Sequence, residues 1–215
     1  MAVMLPKKFK IVIEKCTLMA RKVDLASEIY NLHHHKYQHE QLNYPYIKSV
    51  IRVAHIATGT VNATIENIFN SQTLPQLLVL GLITTESYNG KLSKSCFNIR
   101  RNKLSSLQVN INNEPCGYSL LTLGDDDYVL ALEHLYRNLN LNGMPTGISR
   151  LNWTTGYALY AFRLYPNVEQ TNASLSINLT FGTGTTENIT LIATGQAASV
   201  LSTSAQGVEV SNKLT

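Results

Sequence analysis

The 215-residue chain reads as a mainly β protein, an antiparallel jelly-roll β-sandwich with one or two short helices set in long loops. Three observations predict this. Apolar and β-branched residues fall in many short runs, several of them alternating with polar residues at the period of a strand. Gly, Asn and Pro punctuate these runs as turn signals. Only two stretches repeat at helical spacing, and no βαβ rhythm links them to the strands. The length is normal for one large sandwich, and a chain of this size buries roughly 70% of its unfolded surface, enough for a single core. Composition does not shift along the chain and no internal repeat is found. A single jelly-roll domain over 1–215 is therefore expected, with a core of about 8–194 and a loose polar tail over 195–215.

Each element follows in order. Phe9, Ile11 and Ile13 alternate with Lys10, Val12 and Glu14, which predicts a strand over Phe9 to Met19. A polar helix follows over about 25–40, with Leu25, Ile29 and Leu32 on one face, and Tyr44-Pro45 ends that stretch. Tyr46 to Thr58, carrying Val50, Ile51, Val53 and Ile56, is a long strand broken by Gly59. Leu77 to Ile83 is a nearly continuous apolar run after Pro75 and reads as a buried strand. Tyr88-Asn89-Gly90 is a turn. Leu107, Val109 and Ile111 alternate before Asn112-Asn113-Glu114-Pro115 reverses the chain. The clearest helix covers 127–139. Val129, Leu132, Tyr136 and Leu139 form one face, Asp125, Asp126 and Asp127 suit the dipole at its N-terminus, and Asn142-Gly143-Met144-Pro145 closes the region. Tyr157 to Leu164 is an aromatic-rich strand. Leu175, Ile177, Leu179 and Phe181 alternate over Ser and Asn, and 188–193 is expected to pair with them across the Gly-Thr-Gly-Thr-Thr turn that starts at Gly182. After Thr194 the chain turns small and polar, and an extended or loose tail is expected.

Charged residues make up 15% of the chain against a usual figure of about 25%. Asn, Ser and Thr stand in their place. Hydroxyls and amides keep such a surface soluble, yet they lose water more easily than charges do, which suits packing against other proteins. The net charge of +4 and pI near 8.9 are only mildly basic. The clusters Lys7-Lys8-Lys10 and Arg100-Arg101-Lys103 read as solvated loops or subunit contacts, and direct binding of nucleic acid is not expected. Cys16, Cys96 and Cys116 are far apart and odd in number, so neither a disulfide framework nor a zinc site is predicted, and a reducing compartment fits. The opening residues Met1 to Lys8 have no apolar h-region, and no apolar stretch reaches the length of a membrane span. A signal peptide, secretion and membrane association are not expected. The N-x-S/T sequences at Asn62, Asn152, Asn172, Asn178 and Asn188 then read as chance in an Asn- and Thr-rich chain.

The residue constellations that would carry chemistry are incomplete. His35 and His39 stand at i and i+4 beside His33 and His34, but apart from Glu40 no carboxylate or cysteine completes a metal set. Asp125, Asp126 and Asp127 lack the spacing and glycine of a calcium loop. Gly182-x-Gly184 leads to no Gly-Lys-Ser/Thr and lies between two strands, so it reads as a turn and not a phosphate loop. No Gly-x-Ser-x-Gly occurs, and His55 and His134 meet an aspartate only if the fold brings them together. No catalytic residue, metal or cofactor is expected. The residues chosen instead as assembly or interface candidates are Trp153, Tyr157, Tyr160 and Tyr165 of the aromatic segment, with Arg100 and Arg101 of the basic cluster.

Gln72-Thr73-Leu74-Pro75, Tyr88-Asn89-Gly90, Ser95-Cys96-Phe97-Asn98-Ile99, Ile148-Ser149-Arg150 and Gly156-Tyr157-Ala158-Leu159-Tyr160-Ala161-Phe162-Arg163-Leu164 follow one another in an order that has a counterpart. Over about 8–193 the chain resembles the C-terminal jelly roll of the hexon-like, double-jelly-roll major capsid proteins of Polinton/Maverick elements and adintoviruses, and related uncharacterised proteins of invertebrate genomes. Arg163 stands where that pattern has an acid, Tyr165-Pro166-Asn167 replaces a Thr-Pro-Asp type ending, and the acidic, aromatic finish is missing. The resemblance implies a virion structural protein, assembled in the host nucleus or cytoplasm, that self-associates as trimers or with a partner jelly roll. It leaves open a fragment, a split gene product and a single-jelly-roll relative. Beside it stand a non-catalytic carbohydrate- or protein-binding β-sandwich, a domesticated host protein included, and a metal-dependent cupin. The cupin would need its histidines on strands, whereas here they gather on a predicted helix.

Overall fold

The apolar run after Pro75 has no charge to keep in water, and it becomes a strand well inside a sheet. A computed structural model describes residues 12–69, 74–116, 120–124, 128–139, 147–164, 173–205 and 207–211. In order, its elements are α1 (Ser27–His39), β1 (Leu42–Ile56), β2 (Asn62–Glu66), β3 (Leu77–Thr84), α2 (Thr85–Tyr88), β4 (Leu104–Ile111), β5 (Glu114–Pro115) and β6 (Leu121–Thr122). There follow α3 (Val129–Asn138), α4 (Arg150–Gly156), β7 (Leu159–Arg163), β8 (Leu175–Phe181), β9 (Ile189–Ser204) and β10 (Gly207–Ser211).

All pairings between these strands are antiparallel. One sheet, sheet A, runs β1-β9-β3-β7 with β10 added to β9; the other, sheet B, runs β2-β8-β4 with β5 and β6 added to β4. Lettering the principal strands B to I in chain order, with β5 and β6 together as F, gives B-I-D-G facing C-H-E-F. That is the strand order of a jelly roll, two interlocked Greek keys. The mainly β, antiparallel jelly-roll expectation therefore holds.

The core lies between the sheets. Leu78, Leu80 and Leu82 of β3, Tyr160 and Phe162 of β7 and Leu191 and Ala193 of β9 meet Leu107 and Val109 of β4 and Leu175, Ile177, Leu179 and Phe181 of β8. Strand side chains alternate, so one-sided burial forces period two, and β4 and β8 show it plainly. Consecutive left-handed residues make the tight turns: Asn102 and Lys103 lead into β4, and Asn112 and Asn113 join β4 to β5.

Several expectations need correction. The described part of the predicted first strand, Val12–Met19, is not a strand, because alternation supplies a face but no ladder partner. The first helix is present but ends at His39, and Pro45 does not stop an element. It lies within β1, which among the described residues pairs on one side only, with β9, where a missing N–H is tolerated. The buried stripe of α3 is Ala131, Leu132 and Leu135, while Val129 is 46% exposed, and the three aspartates before it lie outside the described residues. Residues 188–193 do not pair with β8. The connection from Gly182 crosses the sandwich, and β9 enters sheet A between β1 and β3. Both strands bury alternate residues in the same core, so a hairpin and a sheet-to-sheet crossing carry the same pattern. The tail is not loose as far as Ser211: β9 continues to Ser204 and β10 folds back on it. Helix α4 appears where no helix is expected from the sequence.

The crossing is held by Thr185. It lies buried with its Oγ1 donating to Ala57 O at 2.8 Å and accepting from Thr60 N at 3.2 Å, while its carbonyl accepts from Gly59 N at 2.7 Å. At Gly184 a Cβ would stand 3.0 Å from Gly59 O, so the two connections touch backbone to backbone.

Candidate assembly surfaces

Tight packing decides the fate of the aromatic candidates. Trp153 is fully buried: it stacks on Tyr128 at 5.7 Å, meets Tyr160 edge-on at 5.6 Å and donates its indole N–H to Leu159 O at 3.1 Å. Arg150 lies over the other ring of the stack, 5.7 Å from the Tyr128 centroid. This cluster anchors α4 against β7. Tyr160 is buried as well, and desolvation pushes its phenol far above the ordinary range. Trp153 and Tyr160 are therefore core residues and not interface residues. Their apolar bulk, together with one polar atom each, suits either place in the sequence. Tyr165 lies outside the described residues.

Tyr157, Arg100 and Arg101 remain at the surface or near it. Ile99 forms a bridge with Tyr157, with Ile99 N donating to Gly156 O at 2.9 Å and Ala158 N donating to Ile99 O at 3.0 Å. That bridge brings Arg100 and Tyr157 close together. Arg100 donates from Nε to Asn98 Oδ1 at 3.1 Å, and Arg101 from Nη1 to Gly124 O at 2.7 Å. Phe97, two residues from the bridge, is 78% exposed. Its place in a Cys-Phe-Asn loop is legible in the sequence; its exposure is not. The α2 corner is tied by ions: Glu86 meets Lys91 at 2.7 Å and Lys94 at 3.1 Å, and Lys94 reaches Glu187 at 2.8 Å. The hydrogen bonds from Lys91 and Lys94 hold the Glu86 carboxyl below its usual range.

The two outward sheet faces differ in chemistry. Register and alternation place Thr64 of β2, Ser176, Asn178 and Thr180 of β8, and Gln108 and Asn110 of β4 on the outside of sheet B. This face is mostly amides and hydroxyls, with Glu66 as a charged residue at its β2 edge, and among the described residues the buried Oδ1 atoms of Asn110 and Asn178 have no hydrogen-bond partner. Outside sheet A stand Ile47, Ile51 and Val53 of β1, flanked by Ile192 of β9 and by Val79 and Leu77 of β3. Ile47 and Ile51 are 70% and 63% exposed. Neither face follows from composition alone; both emerge once the register is known.

The residues with possible chemistry stay apart. His33, His34, His35 and His39 lie on α1, with the rings of His35 and His39 4.6 Å apart and His34 Nε2 2.9 Å from Gln38 Nε2. Among the described residues no three His, Cys, Asp or Glu side chains gather where they could hold a metal ion. His55 hydrogen-bonds Thr190 Oγ1 at 3.0 Å. A polar groove of about 620 Å³ lies between the end of α1 and the β9–β10 turn, with Gln38, His39, Glu40 and Glu209 in its wall. No helix among the described residues is long and apolar enough to cross a membrane.

The solved structures that this fold resembles come from viruses. They include the mavirus major capsid protein (TM-score 0.47, 10% identity, 81% of this chain and 42% of that one). The structure of the Sputnik virophage matches with a TM-score of 0.49 and 14% identity over 81% of this chain and 39% of that one. The VP54 protein of PBCV-1 matches at 0.48 and 11% identity over 88% and 55%. In sequence, the chain is 26% identical over 195 residues to the uncharacterized protein F54H12.2 of Caenorhabditis elegans, matching 80% of this chain and 45% of that protein. The chain thus spans less than half the length of this curated relative. No family model matches.

Proposed function

We propose that this chain is a structural subunit of a viral or virus-derived capsid, a jelly roll that works by self-association and carries no catalytic site. The observation that supports this best is the surface of the sandwich itself. A B-I-D-G sheet whose outer face carries Ile47, Ile51 and Val53 among small polar residues stands back to back with a C-H-E-F sheet whose outer face is mostly amide and hydroxyl. Such faces are desolvated at low cost, and many modest contacts repeated around a shell suffice to hold it. The Polinton- and adintovirus-like order of motifs supports the same reading, with trimers, alone or with a partner jelly roll, as the assembly unit and the virion as the place of work. Tyr157, Arg100 and Arg101, which stay at the surface or near it, are the proposed subunit contacts. Nucleic acid is not a direct partner in this reading.

Light scattering at several protein concentrations, with and without an upstream partner domain, tests it, with electron microscopy of the same samples. Trimers or particles are expected. A clean monomer under both conditions, with no particles, would favour a carbohydrate- or protein-binding module, for which the polar groove beside His39 and Glu209 would be the site.

A further inference from the structure

Every residue from Val12 to Gln41 is exposed in its own chain. The stretch is not polar enough to explain this. Ile13, Leu18 and Met19 are 80%, 92% and 90% exposed, and Leu25, Ile29 and Leu32, on α1 or just before it at helical spacing, are exposed too. A thirteen-residue helix gains little from propensity alone, and most helices of that length are stabilised by packing an apolar face. The sequence before it alternates like a strand, yet its described part belongs to no strand ladder. The segment is built for burial and finds none at home.

The same chain offers the complementary surface. The outward side of β1, β9 and β3 presents Ile47, Ile51 and Val53 with Ile192, Leu77 and Val79, the uncharged Ser49, Thr194 and Gln196 standing between them, and no residue that alternation places outward on these three strands in their paired region is Asp, Glu, Lys or Arg. We propose that residues 12–39 of one copy lie across the outward face of sheet A of a second copy, with Ile13, Leu18, Met19, Ile29 and Leu32 covering Ile47, Ile51 and Val53. The occupant is a second copy because among the described residues both halves of the contact are left uncovered, so exchange satisfies both and closes by symmetry. Supply matches need: Ile13, Leu18, Met19, Ile29 and Leu32 are each at least half exposed, enough to cover the three apolar side chains of β1. This inference rests on the self-assembly reading above and names the contact that carries it.

The test uses Cys16, which is exposed within the segment. The 215-residue chain carrying Ile51→Cys and Cys96→Ser is oxidised mildly and run on a non-reducing gel. The expected product has twice the chain mass, and it disappears when Cys16→Ser is added or when Ile51 is restored. In parallel, Ile13→Asp with Leu18→Asp, at two side chains that are exposed in the single chain, is expected to weaken self-association at least tenfold with an unchanged melting temperature. A link between Cys16 and the introduced thiol within a single chain overturns the proposal, since the segment then folds back on its own sheet. Oligomers that persist without the link and tolerate the double Asp variant also overturn it, while leaving the capsid reading intact. A wild-type chain that stays monomeric, together with a cysteine variant that forms no link, sinks both.

Discussion

At the scale of the residue, burial separates side chains that look alike in the sequence. Trp153 and Tyr157 lie four positions apart and both suit an interface, but α4 turns the first into the core and leaves the second 49% exposed. Trp153→Ala is expected to cost about 3–5 kcal/mol, the range for removing a large buried aromatic, read as a fall in urea midpoint. Tyr160 should behave in the opposite sense. Its hydroxyl is buried with no hydrogen-bond partner among the described residues, so Tyr160→Phe is expected to stabilise the fold by about 1 kcal/mol, visible as a higher melting temperature. His134 gives the fold a pH dependence. Burial first, and then Arg137, lowers its pKa from the model-peptide value of about 6.5, with Glu133 opposing. The folded chain therefore binds that proton less readily than the unfolded one. Stability from this group is complete above about pH 6.5, declines as the pH falls through that value, and levels off below the lowered folded pKa. Urea unfolding across this range should show the decline in the wild type and lack it in His134→Gln.

At the scale of the element, strands with one buried face are legible in the sequence and the partners of those strands are not. β3, β4 and β8 show themselves through Leu78–Leu82, Leu107–Ile111 and Leu175–Phe181, because a segment pressed on the core carries its apolar residues there. Pairing leaves no such trace. Leu191 and Leu179 alternate in the same way and point into the same core, yet they sit in opposite sheets. The end of β9 beyond Gln196, with β10, reads as loose tail because its side chains are small and partly exposed, and its backbone ladder to β1 carries the structure there. Helix α4 has one local signal, the Ser149 side chain that accepts from Asn152 N at 3.1 Å, and at seven residues it is too short to show a period. Of the candidate surface, the aromatic cluster is visible in the sequence but its burial is not, while the apolar face of sheet A requires the register. The sheet-to-sheet crossing gives a prediction at this scale. Thr185→Val keeps the shape but removes the hydroxyl that serves Ala57 O and Thr60 N, so it should cost about 1–3 kcal/mol and speed amide exchange at Gly59 and Thr60.

At the scale of the whole molecule, the chemistry of the two sheet faces predicts how association responds to its medium. Contacts made by apolar, amide and hydroxyl groups have little Coulomb attraction to screen, so raising salt from low to physiological strength should leave the self-association constant unchanged or slightly higher. Sedimentation at two ionic strengths decides this, and a marked weakening with salt would move the contact to Arg100, Arg101 and the Lys91–Glu86–Lys94 corner. The pairing of β1 has a different kind of consequence. Its partner is β9, and the register joins Leu42 to Thr203, so strands from opposite ends of the sandwich's sequence meet in one ladder. On the ribosome β1 emerges early and waits for more than a hundred residues, on the order of the whole sandwich, before it can pair. Until then β3 lacks its β9 neighbour too, and sheet A has only its β3–β7 pair. Long-range closure of this kind is slow and leaves open strand edges exposed meanwhile. Synthesis must therefore reach β9 before the molecule can present the full outer face of sheet A, and on the proposed capsid reading topology keeps shorter nascent chains out of a growing shell.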